Sequence, residues 1–102
     1  MTPVFSLQGY SICIRPIVLC DINQSYFDLL SQLTTVDIRV IDKERIQRYF
    51  DTLQDHNQIF VIEDMDAKRI IVTGKVLIEE KIIHNFGKVG HIEDIVIDKQ
   101  YR

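Results

Sequence analysis

Apolar residues run together or alternate in four stretches of this chain and recur at three- and four-residue spacing in two others. The first stretch, YSICIRP (Tyr10–Pro16), reads as a strand that stops at Pro16, because proline has no N–H to give to a ladder. In DINQSYFDLLSQL, which follows, Ile22, Tyr26, Leu29, Leu30 and Leu33 share one helical face. Asp21 is placed to cap this helix, with Gln24 three residues on as in a capping box. The β-branched run TTVDIRV then breaks the helical period. A second helix is expected from Asp42, with Ile46, Tyr49, Phe50 and Leu53 inward and Lys43, Arg45, Gln47 and Arg48 facing solvent.

Beyond the exit loop at Asp55–Asn57 the pattern is that of strands. QIFVIED (Gln58–Asp64) is one, and RIIVTGKVLIEEKII (Arg69–Ile83) is a long second. Gly74 inside the second points to a bulge or a close backbone approach. HNFGK turns the chain, and VGHIEDIVID (Val89–Asp98) is the last strand. Residues 1–9 show no clear period and are expected to be irregular, an extended leader or a frayed end.

The predicted order is β-α-α-β-β-β. Short connections join the last three strands, which favours a mainly antiparallel sheet with both helices on one face, an α+β domain. Its last strand would be an exposed edge.

Composition narrows the function without naming it. The 102 residues are enough for one domain, and a 46% hydrophobic fraction is that of a globular protein. Twelve basic against 15 acidic residues give a net charge of −3, which argues against a broad nucleic-acid surface but leaves room for a local phosphate pocket. Cys13 and Cys20 form no C-x-x-C pair, and Cys13, inside an apolar run, is expected to be a buried thiol. The apolar runs are too short for a membrane span, and no signal peptide is visible. The NQS sequon at Asn23 is therefore read as chance, and a reduced, cytoplasmic location is expected. No His, Cys and Asp spacing matches a structural zinc site, so no metal is expected.

The chemistry concentrates near the end of the chain. EEKIIHNFGKVGHIEDIVIDKQYR, together with LTTV (Leu33–Val36) after the first helix, resembles the glucosamine 6-phosphate N-acetyltransferase family of the GNAT superfamily. The resemblance covers nearly the whole chain. It implies a GNAT-like (acyl-CoA N-acyltransferase) fold and transfer of acetyl from acetyl-CoA to the 2-amino group of D-glucosamine 6-phosphate, a step toward UDP-N-acetylglucosamine. It also implies a homodimer with sites at the subunit interface. In the family a loop of the type Arg/Gln-x-x-Gly-x-Gly/Ala and a helix follow the strand like Val89–Asp98, and Arg102 matches the first residue of that loop. The chain is thus expected to hold only part of the acetyl-CoA site and to be inactive alone. Robust acetyl-CoA-dependent acetylation by the purified 102-residue chain would contradict this.

Making an amide from a thioester requires a deprotonated amine, a stabilised thioester oxygen and two substrates held together. The resemblance implies that the main chain of Ile95, Val96 and Ile97 binds acetyl-CoA, with Arg102 beginning the pyrophosphate loop. It places Glu93, Asp94 and Ile95 against the acceptor, with Lys81, Ile82, Ile83 and His84 lining its site and Lys81 and His84 as phosphate partners. Thr34 matches a substrate-contacting threonine. Glu93 is also a weak candidate for relaying the amine proton. In a regular strand Glu93 and Asp94 point to opposite faces. Both reach one site only if a bulge breaks the alternation or one of them acts through its backbone, and a bulge near Asp94 is the expectation. From the residues alone, each of these positions also reads as ordinary strand, turn or surface structure. Two other functions stay open: a GNAT with a different acceptor amine, and a non-catalytic partial GNAT interaction module that pairs through its exposed strand.

Overall fold

The computed structural model describes residues 3–37 and 41–102. Part of the predicted β-branched break, residues 38–40, lies outside them. The elements are β1 (Val4–Leu7), β2 (Tyr10–Pro16), a 3-10 turn (Leu19–Asp21), α1 (Gln24–Leu30), α2 (Lys43–Phe50), β3 (Asn57–Asp64), β4 (Arg69–Glu80) and β5 (Lys88–Ile97), then a 3-10 turn at Lys99–Tyr101. The strands form one five-stranded sheet in the order β1-β2-β3-β4-β5, with every pair antiparallel. The α+β expectation therefore holds.

Three local readings are corrected. Val4–Leu7 is not an irregular leader but an edge strand, paired with β2 from Val4↔Cys13 to Leu7↔Tyr10. Gln8 (φ 51°) and Gly9 (φ 86°) make the two-residue turn, and positive φ at both positions matches the twist of a tight hairpin. The helix cap is Asn23, whose Oδ1 accepts from the Tyr26 N–H at 3.1 Å; Asp21 sits in the preceding turn and accepts from the Val18 N–H instead. The long strand ends at Glu80 rather than Ile83, because Ile83–Phe86 winds into a short helical turn with His84, Asn85 and Phe86 at positive φ. The Lys81 N–H closes this turn on the Gly87 carbonyl at 2.8 Å.

Both helices lie on one face of the sheet. Ile17, Tyr26, Ile59 and Val61 form the buried centre, with Ile22, Leu30, Phe50, Leu53 and Ile70 packed on it. Tyr26 reaches through this layer, and its hydroxyl shares a buried hydrogen bond of 3.0 Å with Thr73 Oγ1 on β4. That bond fixes α1 to the middle of the sheet. Cys13 is buried, as read from the sequence, and Cys20 is exposed. No helix among the described residues is long and apolar enough to cross a membrane.

A polar clamp holds the start of α1 against β2. The Arg15 guanidinium donates to both Asp21 oxygens, at 2.7 and 3.0 Å, and to Glu63 at 3.2 Å. Burial opposes ionisation of Asp21, but the Arg15 and Val18 hydrogen bonds outweigh it and hold its pKa below the ordinary value. A carboxylate whose pKa falls on folding adds stability above its unfolded pKa and loses it as pH drops through the folded one. Arg15→Met is expected to cost about 1.5–3 kcal/mol at pH 7, the usual range for a hydrogen bond to a charged group. In urea titrations the deficit should shrink below about pH 4. A deficit unchanged at acid pH would show that Arg15 acts through packing alone.

Candidate functional site

The last strand departs from regular alternation where the sequence placed its acidic pair. Thr73 pairs with Val96 and Lys75 with Glu93, so Gly74 alone faces both Asp94 and Ile95. This is a bulge on β5, and Asp94 takes φ 52° to make it. Gly74 sits opposite the irregularity rather than in it. A Cβ there would meet Ile95 Cγ1 at 3.6 Å, an ordinary contact, so its lack of a side chain is not what permits the bulge.

The bulge changes which face the acids share. Glu93 lies opposite Lys75, whose side chain is on the helix face. Asp94 turns to the same face and lines a cavity of about 320 Å³ under the helices. Its walls are mainly Ile22, Tyr26, Phe27 and Leu30 from the α1 side, Ile46 and Tyr49 from α2, and Ile59 from β3. Thr73, Lys75 and Arg45 are its polar members besides Asp94. Burial raises the Tyr26 pKa, with a smaller push from the nearby Asp94 charge, so the phenol stays protonated and serves as a fixed hydrogen-bonding post.

Ile95, next in sequence to Asp94, faces a different hollow. With Val96, Ile97, Gln32, Leu33 and Arg102 it lines a groove of about 240 Å³ along the free edge of β5. The Lys99 N–H donates to Gln32 Oε1 at 2.8 Å and ties the chain after β5 to the end of α1. Arg102 Nε donates to the Ile97 carbonyl at 2.8 Å, which lays its side chain along the groove. Among the described residues β5 pairs with β4 alone, so its outer backbone edge is open to the groove. Tyr101 anchors this end: its hydroxyl donates to Asp64 at 2.6 Å and its ring lies under the Arg69 guanidinium. The Tyr101 hydrogen bond and two backbone N–H groups hold the Asp64 pKa below its ordinary value.

The structure thus brings Glu93, Asp94, Ile95, Val96, Ile97 and Arg102 to one strand with a cavity on its face and a groove on its edge. It does not bring the other candidates there. Lys81, Ile82, Ile83 and His84 lie at the far end of the β4–β5 hairpin and line neither space. Lys81 Nζ is bonded to Glu79 at 2.9 Å, and Ile82 and Ile83 are strongly exposed. Thr34 is exposed just after α1, adjacent to the groove residue Leu33. Among the described residues there is no cluster of His, Cys, Asp or Glu able to hold a metal. Sequence reading missed Tyr26, Tyr49, Thr73 and Lys75 as cavity residues and put Arg45 in open solvent. One signal was present: Lys75 interrupts an otherwise apolar strand in IIVTGKVLI.

Comparison with known proteins bears on the fold. No family model matches the chain. It is 37% identical over 92 residues to the glucosamine 6-phosphate N-acetyltransferase of Arabidopsis thaliana, a match covering 87% of this chain and 60% of that protein. A Dictyostelium discoideum protein of the same name is 36% identical over 99 residues, 95% of this chain and 62% of its own length. The crystal structure of the Arabidopsis enzyme superimposes with a TM-score of 0.78 at 36% identity, over 89% of this chain and 63% of that one. A Trypanosoma brucei acetyltransferase superimposes at 0.76 with 25% identity. Over the matched region the chain has the fold of the GNAT acetyltransferases. It spans about three-fifths of the length of the relatives it matches.

Positive φ at Asp94 makes the bulge sensitive to residue shape. Asparagine and glycine accept the left-handed region, whereas a β-branched residue does not. Asp94→Val is expected to cost on the order of 1–2 kcal/mol more than Asp94→Asn. Chemical denaturation of the two variants measures the difference, and equal stabilities would show that the bulge does not depend on residue 94.

Proposed function

We propose that this chain is the acceptor-binding and donor-edge part of a glucosamine 6-phosphate N-acetyltransferase. The observation that carries the reading is the bulge at Asp94 and Ile95, whose neighbouring side chains line the helix-face cavity and the strand-edge groove. In the proposed reaction the acetyl thioester of acetyl-CoA lies along the groove. Unpaired N–H groups of Ile95–Ile97 bind the donor through the backbone, and Arg102 begins its pyrophosphate site. The amine enters from the cavity, where Asp94 accepts from the ammonium or a sugar hydroxyl. Glu93, on the same face, is the candidate for drawing off the amine proton. Attack at the thioester carbonyl forms the amide bond and expels the CoA thiolate.

Lys81, Ile82, Ile83 and His84 enter this scheme through a second copy. They line neither the cavity nor the groove of their own chain. Together with Phe86 they form an exposed, largely apolar tip, which fits pairing in a homodimer where Lys81 and His84 approach the acceptor phosphate of the neighbouring subunit. Thr34, exposed after α1 and next in sequence to the groove residue Leu33, is the candidate for a substrate contact on that side. The proposed place of the product is UDP-N-acetylglucosamine synthesis in the cytoplasm.

The test is acetyl-CoA-dependent acetylation by the natural full-length protein, comparing glucosamine 6-phosphate, glucosamine and lysine peptides. A preference for the phosphorylated sugar is expected, and a preference for a peptide amine would turn the reading to another acceptor. Asp94→Asn should lower kcat/KM by about 10- to 100-fold, corresponding to loss of a charge-assisted hydrogen bond of about 1.5–3 kcal/mol. Unchanged kcat/KM would remove Asp94 from the acceptor site.

A further inference from the structure

The short turn after β5 is held from four directions. Lys99–Tyr101 is closed by the Tyr101 N–H on the Asp98 carbonyl at 2.8 Å and capped by the Asp98 carboxylate, which accepts from the Gln100 N–H at 3.0 Å. A 3-10 turn this short has little cohesion of its own. Tertiary ties supply it. Asp64, at the end of β3, is a buried carboxylate. One of its oxygens accepts from the Asp66 and Ala67 N–H groups and so closes the β3–β4 turn. The other accepts from the Tyr101 hydroxyl at 2.6 Å, the length of a charge-assisted bond. Arg69, at the start of β4, donates to Gln100 Oε1 at 2.7 Å and stands 5.4 Å from the centre of the Tyr101 ring. The Tyr10 ring, from the first hairpin, lies 5.0 Å from that of Tyr101, and Gln32 holds the Lys99 N–H from the exit of α1. One residue on, the Arg102 side chain lies along the edge groove. Neighbouring residues thus divide the work: Tyr101 is fastened into the fold, and Arg102 is presented to the groove.

We propose that Tyr101 is a positioning residue for the acetyl donor: its bond to Asp64 fixes the direction in which the chain leaves β5 and so sets Arg102 against the donor diphosphate. The inference rests on the donor-edge reading above. It assigns the placing of that end of the donor to the β3–β4 turn, which lines neither the cavity nor the groove. Loss of the Tyr101 hydroxyl would leave one oxygen of a buried carboxylate without its donor, which is costly for a buried charge. The turn would then shift to rehydrate Asp64 and would carry Arg102 with it. The acceptor cavity is held separately, by the register of β5 on β4 and by the Tyr26–Thr73 bond. Donor and acceptor are therefore expected to respond differently to the same change.

Steady-state kinetics of the natural full-length protein test it, with acetyl-CoA and glucosamine 6-phosphate varied in turn, for the unaltered protein, Y101F and R69Q. Y101F keeps the ring and loses only the hydroxyl. It is expected to raise KM for acetyl-CoA about 10-fold, as for loss of one hydrogen bond to a charged group. Neither kcat nor KM for glucosamine 6-phosphate should change. R69Q frees Gln100 but leaves the Tyr101–Asp64 bond, so it should raise KM for acetyl-CoA by less, again without moving KM for the sugar. It supplies the comparison if Y101F does not fold. A fall in kcat with both KM values unmoved would mean only that less of the protein is folded, and it would overturn the inference. So would a rise in both KM values together, which would make Tyr101 a general brace for the sheet. Unchanged kinetics in Y101F would overturn it as well, leaving the donor-edge reading intact. No acetyl transfer from acetyl-CoA by the unaltered protein would overturn that reading and the inference with it.

Discussion

The bulge opposite Gly74 is the constraint on which the site depends. Without it, β5 alternates strictly, and Glu93 and Asp94 point to opposite faces. With it, one extra residue is accommodated at the cost of a left-handed Asp94. Both acids then belong to the helix face, and Ile95 is left for the edge groove. Two concave spaces come to lie on either side of a single peptide unit. The proposed acetyl transfer would use this geometry, because amine and thioester must meet while their remaining atoms stay apart.

The rest of the fold keeps that unit in place. β4 is the template, and the Tyr26–Thr73 hydrogen bond fixes α1 to it one residue from Gly74. Breaking one side of a buried hydrogen bond leaves the other partner unsatisfied, which costs more than the bond contributes net. The Arg15–Asp21–Glu63 clamp fixes the entry to α1, and Gln32 fixes its exit through the Lys99 N–H. Asp64, Tyr101 and Arg69 secure the chain just after β5. These ties are polar and directional, whereas the apolar core is small. They set the position of α1, whereas burial of Ile17, Ile59 and Val61 supplies the general drive to fold.

Much of this was legible in the sequence, because period carries information wherever one face is buried. The stripe of Ile22, Tyr26, Leu29 and Leu30 and the alternation in β3 and β4 each reported an inward face. The bulge was legible as a conflict, since two adjacent acids in a strand cannot share a face unless the strand is irregular. The first hairpin was missed because Gln8–Gly9 is a weaker turn signal than Asn–Gly, and four residues of edge strand are too few to show a period. Asp21 was read as a cap because caps are assigned by residue type, but Arg15, distant in pattern, claims its carboxylate. Positive φ at His84, Asn85 and Phe86 was hidden as well: His84 and Asn85 are types that accept it, but Phe86 rarely does, and no glycine marks the turn until Gly87.

Lys75 shows how a residue can be visible in sequence and still lack a meaning there. Among apolar neighbours it reads as a solvated exception, and only the register against Ile59 and Glu93 puts it beneath the helices. There its stem crosses apolar surface and its ammonium reaches the exposed rim of the cavity beside Tyr49. A neutral phenol balances it in part, which orients the ammonium without neutralising it. A carboxylate in the same position would have closed the site by forming an internal ion pair. The pairing with Tyr49 leaves the charge available at the open side of the cavity.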